Sequence, residues 1–274
     1  INWFPGHMNK AHREIKKAYS RINLMIELLD ARCPASSENP LIAQLRGRKP
    51  SLIVLNKADL ADPIATKQWV AHFNNMDNVQ AIALNKSQTG KIKGLLKRGR
   101  GMLPKDRSKE RAIHVIIMGI PNVGKSTLIN ILAGRNIAKT GNIPAVTRRQ
   151  QHIRLSHDMV LVDTPGFLWH KLSPKECGYR LAISGAVKDA VVDQIEIAHF
   201  AIGYFSKQYP SALTKRYSLS DLPSEPMETL KLIGAKRGCM LKGGEIDIQK
   251  TAEIVIREYR AGKLGPISLE RPSK

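Results

Sequence analysis

The sequence predicts an α/β protein: an open, mostly parallel sheet with helices on both faces, followed by a small all-helical domain. Three observations carry that reading. Six runs rich in Ile, Val and Leu read as strands, several of them continuously apolar as strands buried on both faces are. Helical patterns alternate with these runs. After about residue 170 the strand alternation disappears and helical texture remains.

In chain order, INLMIELL (22–29) is the first strand, with the helical stretch NPLIAQLRG (39–47) behind it. PSLIVLN (50–56) is followed by PIATKQWVAHFNN (63–75), and VQAIAL (79–84) by TGKIKGLLKRG (89–99). The tract RGRGMLPKDRSKE (98–110) is rich in Gly, Pro and charge and reads as a connection. AIHVIIMGI (112–120) leads into GKSTLINILAG (124–134), and HIRLS (152–156) pairs with MVLVDTPG (159–166) as a hairpin. Further on, 176–209 reads as two helices and IDIQKTAEIVIREYRAGK (246–263) as another, with turns at SLSDLPSEP (218–226) and RGCMLKGGE (237–245). The expected division is 1–171, with 1–21 as a basic N-terminal segment and 98–110 as a basic joint, and a helical 172–274.

Of 274 residues, 44 are Lys or Arg and 23 are Asp or Glu, for a formal charge of +21 and a pI near 10.1. That imbalance points to a polyanionic partner, nucleic acid or an acidic membrane surface. A merely basic soluble enzyme is the plainer alternative. Residues 1–171 carry 28 basic and 11 acidic side chains, and 172–274 carry 16 and 12. The densest run, 86–111, sets ten basic residues against Asp106 and Glu110. A solvated helix face with a linker would account for it, but ten like charges also repel, and a counter-charged partner would relieve them. Cys33, Cys177 and Cys239 form no CxxC pair, which argues for a reducing compartment and against a zinc site. The basic N-terminus has no apolar signal core, and no apolar run reaches the ~20 residues of a membrane span. A cytoplasmic location without a membrane partner is expected.

GIPNVGKST (119–127) fits GxxxxGK[ST] through Gly119, Gly124, Lys125 and Ser126, after a buried strand and opening a helix. There, successive backbone N–H groups over Asn122, Val123, Gly124, Lys125, Ser126 and Thr127 would wrap phosphates. Lys125 would reach the β- and γ-phosphates, and the Ser126 hydroxyl would coordinate Mg²⁺. DTPG (163–166) places Asp163 as the carboxylate holding Mg²⁺ through its waters and the Gly166 N–H at the γ-phosphate; a plain turn is the alternative. Between them Thr147, in IPAVT, could complete the Mg²⁺ shell, with Thr140 as a competitor.

NKAD (56–59) ends the strand SLIVL, at the carboxyl edge where α/β sheets bind ligands. Asp59 can accept from both N1–H and the exocyclic amine of guanine, a pattern adenine does not offer. Lys57 would lay its stem over the purine, and Asn56 would brace the neighbouring loop. A third loop on the guanine side is expected at Asn85–Lys86–Ser87.

In an ordinary GTPase the base-reading motif follows the phosphate loop, whereas here it precedes it. Reading 112–167 first and wrapping to 22–97 restores the ordinary order. The predicted architecture is therefore a circularly permuted P-loop GTPase domain, a rearrangement tolerated because domain termini tend to lie close together at the surface. The joint 98–110 would connect the old ends.

On WFPGHM (3–8), DAR (30–32), NP (39–40), NKAD, GIPNVGKSTLIN (119–130), NIAKTG (136–141), LVDTPG (161–166) and KRGC (236–239), the sequence resembles the YlqF/RbgA family of circularly permuted GTPases along essentially its full length. The resemblance implies a ribosome biogenesis GTPase that converts GTP to GDP in late assembly of the large ribosomal subunit. It also implies a helical domain on rRNA, with the ribosomal proteins involved left unspecified. A monomer is expected. The family's PGxT is PAVT here (144–147), which puts Ala145 at the glycine and leaves Thr147 in place. The position of the water-orienting Gln of small GTPases is Phe167, which cannot polarise water. The resemblance suggests His7, in PGHM, as its replacement; a surface histidine is the other reading. It also points to Asn122 as a ligand of K⁺ beside the phosphates. Segment 167–176 would couple the γ-phosphate to the helical domain, where Lys236, Arg237 and Lys242 are candidate RNA contacts. A rival from another class is an RNA-binding module that holds GTP and turns it over incidentally; acceleration of hydrolysis by the ribosomal particle separates the two.

Overall fold

All six apolar runs become strands of one sheet in the computed structural model, which describes residues 19–47, 49–104, 112–136, 152–163 and 174–272. They are β1 (Leu24–Asp30), β2 (Ser51–Asn56), β3 (Val79–Ala83), β4 (Ile113–Gly119), β5 (His152–Arg154) and β6 (Met159–Asp163). From one edge to the other the order is β3-β2-β1-β4-β6-β5, parallel throughout except for the antiparallel β5–β6 pair. Counted from β4 and wrapped through β1, the strands read second, third, first, fourth, fifth, sixth from the β5 edge. The cut and rejoined order expected of a permuted GTPase sheet is thus visible in the topology.

Period-two alternation decides which side chains serve which face. Leu24, Ile26 and Leu28 of β1 join Leu52, Val54, Val115 and Ile117 in one core. Met25, Leu29, Ile53 and Leu55 point the other way. The first face is covered by Ile92 and Leu95 of α4 (Thr89–Gly101) and by Leu128, Ile129 and Leu132 of α5 (Lys125–Ala133). The second is covered by Ile42 of α2 (Pro40–Arg46), which follows the single turn α1 (Pro34–Ser37), and by Trp69 and Phe73 of α3 (Pro63–Asn74). Helix α3 starts where it does because Pro63 takes the first turn and Asp62 caps it, accepting from the Ile64 and Ala65 N–H groups.

Two expectations need correcting. Residues 98–101, read as part of a connection, are helical: the buried spacing Ile92, Leu95, Gly99 continues, and Arg100 is anchored to Asp158 at 2.5 Å. The helical region also has more helices than its periodicity suggested. Besides α6 (Lys175–Ser184), α7 (Gln194–Gln208) and α10 (Ile248–Arg260), it contains α8 (Pro210–Tyr217) and α9 (Pro226–Lys236). Both open on a proline, which stops one helix and is favoured at the first position of the next.

Leu181, Ile183, Ile202, Phe205, Val255 and Tyr259 of these helices belong to the same core as Leu28, Ile120 and Val123. The helical region therefore packs on the sheet through shared apolar surface. Its last residues, 264–272, run back across α3 without regular structure, burying Ile267 and Leu269.

Candidate functional site

Strand register brings the motifs to one edge. Asn56 lies level with Asp30, Gly119 with Leu28, and Asp163 with Ile117. After β1 the chain turns to α2 on the second face, and after β4 to α5 on the first. That divergence opens a crevice at the carboxyl ends of the two central strands, the usual ligand position in open α/β sheets.

The phosphate loop occupies the β4 side of this crevice. Asn122 (φ 57°) and Gly124 (φ 105°) are left-handed, the alternation that turns successive N–H groups inward. The glycines are required by contact. A Cβ at Gly119 would stand 2.7 Å from the Leu28 carbonyl oxygen, and one at Gly124 would stand 2.3 Å from Asn56 Nδ2. Lys125, Ser126 and Thr127 form the first turn of α5, half-buried, with Val123 buried beneath them. The Ser126 hydroxyl is a hard oxygen donor of the kind that would hold Mg²⁺.

The base-side loops meet this one directly. Asn56 donates from Nδ2 to the Val123 carbonyl at 2.7 Å, which ties the two loops together. Lys57 is left-handed (φ 59°), and its Nζ is 2.8 Å from Asp30 Oδ2. Asp59 is exposed in the 3₁₀ turn Ala58–Leu60. The Ala58 N–H donates to the Leu84 carbonyl, so the loop 85–87 is tied to the NKAD loop. There, Asn85 Oδ1 accepts from the Ser87 N–H and hydroxyl, which shapes the loop and leaves Lys86 exposed.

Asp30 and Arg32 stand in the DAR motif, and no local pattern assigns them a role. Arg32, 1 % exposed, donates from Nε and Nη2 to the Asp30 carboxylate at 2.9 and 2.8 Å and from Nη2 to the Ser184 carbonyl at 2.9 Å. Its guanidinium lies 5.1 Å from the centre of the Tyr259 ring. Burial works against the Asp30 charge, but Arg32 and Lys57 hold the carboxyl well below the usual range. Asn122, meanwhile, donates from Nδ2 to the Gly185 carbonyl at 2.8 Å. Arg32, which shares Asp30 with Lys57, and Asn122 of the loop after β4 thus both hold the turn that closes α6. In the sequence 152 residues separate Arg32 from Ser184 and 63 separate Asn122 from Gly185, so no local signal could have shown these bonds.

The C-terminal segment was likewise missed. Its Ile267 N–H donates to the Leu60 carbonyl and its Leu269 N–H to the Arg32 carbonyl. The Glu270 carboxylate accepts from the Ser36 N–H and hydroxyl, while Asp62 accepts from Tyr209 and Arg271. Arg237, a candidate RNA contact, is engaged with Glu258 at 3.2 Å and lies over the Tyr217 ring; Lys236 and Lys242 are exposed. His7, Thr140, Ala145, Thr147, Gly166 and Phe167 lie outside the described residues, as does the side chain of Asp163.

The family described as 50S ribosome-binding GTPase matches residues 114–221. That span begins within β4, as a permuted chain requires. The chain is 45 % identical to ribosome biogenesis GTPase A of Bacillus cereus, over 100 % of this chain and 95 % of that one. It is 44 % identical to the protein of that name from Bacillus pumilus, over 99 % of each. Among solved structures, GNP-bound YlqF from T. maritima superposes with a TM-score of 0.68 at 28 % identity, covering 97 % of this chain and 99 % of that one.

Proposed function

The chain belongs to the ribosome biogenesis GTPase A family and is a GTPase of large-subunit assembly, and from that premise we propose how its residues divide the work. GTP lies across the carboxyl ends of β2, β1 and β4, its phosphates in the loop 122–127 and its base over the loops 56–59 and 85–87. The observation that carries this is the Asn56–Val123 bond, which locks base-reading and phosphate-holding loops into one rigid edge although 67 residues separate them.

Each residue then has a chemical task. The N–H groups of 122–127 and the Lys125 ammonium neutralise the phosphates. Asp30 pins the head of Lys57, leaving its stem to line the base, and exposed Asp59 accepts from guanine. Asn85 and Lys86 frame the base from the other loop. GTPases of this kind use Mg²⁺, which when bound would supply positive charge to offset that of the phosphates; Ser126, Thr147 and Asp163 are the residues that would hold it, Asp163 through its waters. Asn122 spends its amide donor on Gly185, which leaves Oδ1, the atom a K⁺ would take. Gly166 meets the γ-phosphate, and His7 polarises water in place of the glutamine that Phe167 replaces. The part 172–274 is assigned to ribosomal RNA in the cytoplasm, with the protein acting as a monomer. No described helix is long and apolar enough to cross a membrane.

Single-turnover GTP hydrolysis with and without large ribosomal subunits, in K⁺ and in Na⁺, tests this reading. Subunits should accelerate the wild type strongly, more in K⁺, and His7→Ala should lose the acceleration while still binding nucleotide. No acceleration by mature or immature subunits would overturn it in favour of an RNA-binding module.

A further inference from the structure

Helix α4 buries Ile92, Leu95 and Gly99 against the sheet. On the opposite side, at ~100° per residue, Gly90, Gly94 and Gly101 fall within about 40° of one another. Lys93 and Lys97 border them on one flank, and Lys91 and Arg98 on the other; all four cations are exposed. No packing explains the glycines, since a Cβ at any of the three would meet nothing within 4 Å. Gly94 lies inside the helix, where glycine costs about 1 kcal/mol relative to alanine, so at that position the face gives up helix stability without an internal return.

The charge is equally uncompensated. Among the described residues no carboxylate pairs with Lys91, Lys93 or Lys97, and Arg98 donates to the neutral Gln80 at 2.9 Å. No acidic residue occurs in the sequence between Asp77 and Asp106.

We propose that this face of α4 seats the sugar–phosphate backbone of RNA. The three glycines form a floor low enough for a strand to approach the helix backbone, and the four cations clamp its phosphates from both sides. From Gly90 to Gly101 the floor runs about 16 Å, room for several consecutive phosphates. An anionic membrane fits poorly, because the face presents no apolar side chain to insert. The inference deepens the ribosomal reading by adding an RNA surface on the sheet domain, distinct from the helical region.

The full-length chain with Lys91→Gln, Lys93→Gln and Lys97→Gln, and a second with Gly90→Gln and Gly94→Gln, test it against protein-free large-subunit RNA and intact large subunits over a KCl series. The lysine variant should lose affinity for the RNA about tenfold or more, and its salt slope should shrink by roughly two to three. The glycine variant should melt no lower than wild type, since Gln is the better helix former, yet lose RNA affinity by bulk alone. Both should keep the intrinsic GTP turnover. Unchanged RNA affinity and slope in both variants, with wild type binding, would overturn this seat and leave the ribosomal reading intact. A loss on intact subunits without one on protein-free RNA would assign the face to a protein instead. Wild type that binds neither probe would overturn both proposals.

Discussion

Asp30 and Lys57 meet at 2.8 Å at the carboxyl ends of neighbouring strands, and through Arg32 that ion pair joins the NKAD loop to the helical region. The same Asp30 oxygen accepts from Arg32, which reaches the Ser184 carbonyl, one residue from the Gly185 carbonyl held by Asn122. Nucleotide loops and helical region therefore share a single hydrogen-bonded joint.

Replacing Asp30 by Asn should cost stability and affinity together. Arg32 would be left buried without its counter-charge, a loss of about 3–5 kcal/mol for a broken buried pair. Lys57 would also lose its anchor. Urea unfolding should show the first effect, and titration with fluorescent GDP under native conditions the second. Full GDP affinity in a destabilised but folded Asp30→Asn protein would mean that Lys57 is positioned by something other than this carboxylate.

Gly124→Ala meets two obstacles, a left-handed φ of 105° and a contact of 2.3 Å with Asn56 Nδ2. Removing the Asn56 amide relieves only the second. Asn56→Ala alone should cost about 1 kcal/mol for the hydrogen bond to Val123 and weaken GTP binding. In a double-mutant cycle the Gly124→Ala penalty should be smaller in the Asn56→Ala background. Additive effects would place the whole cost in the backbone and none in the contact.

Much of this architecture was legible because its signals are local. Each of the six strands is a short apolar run, and the order of NKAD and GKST along the chain sufficed to show the permutation that β4–β1 pairing displays. What was not legible depends on partners far apart. Arg32, in the DAR motif, has no legible role until Ser184 and Tyr259 close over it. Residues 264–272 carry no periodicity because they are an irregular strap, held by backbone bonds to Leu60 and Arg32. Helices α8 and α9 fall where the sequence reading assigns no helix, and each begins on a proline, the second of them at the end of an expected turn.

Glu27 supplies a pH signature. It is buried in the middle of β1, 2.6 Å from Arg46, which also pairs with Glu38. Burial pushes its carboxyl from 4.5 up to about 7, against the opposing pull of Arg46 and with help from the like charge of Glu38. A folded value above the unfolded one means the native state binds the extra proton between these limits. The associated stability is fully present below pH 4.5 and is lost as pH rises through 7, by ~3 kcal/mol at most. Urea midpoints across that window should fall with pH in the wild type and stay flatter in Glu27→Gln. Parallel curves would show that the carboxyl titrates at an ordinary value.

The C-terminal strap should matter to nucleotide binding as well as to stability. Leu269 is fully buried, and its N–H satisfies the Arg32 carbonyl, while Ile267 does the same for Leu60 in the base-reading loop. Leu269→Ala should cost about 2–5 kcal/mol as a large-to-small core change. Ending the chain after Gly265 removes both N–H donors along with the Glu270 contacts to Ser36. The NKAD loop would then keep its sequence but lose the bond that fixes Leu60. Truncation should therefore lower GDP affinity beyond what Leu269→Ala does at matched folded fraction. If the two proteins bind GDP equally well once folded, the strap serves the core alone, and the base loop holds its shape through Ala58 and Leu84.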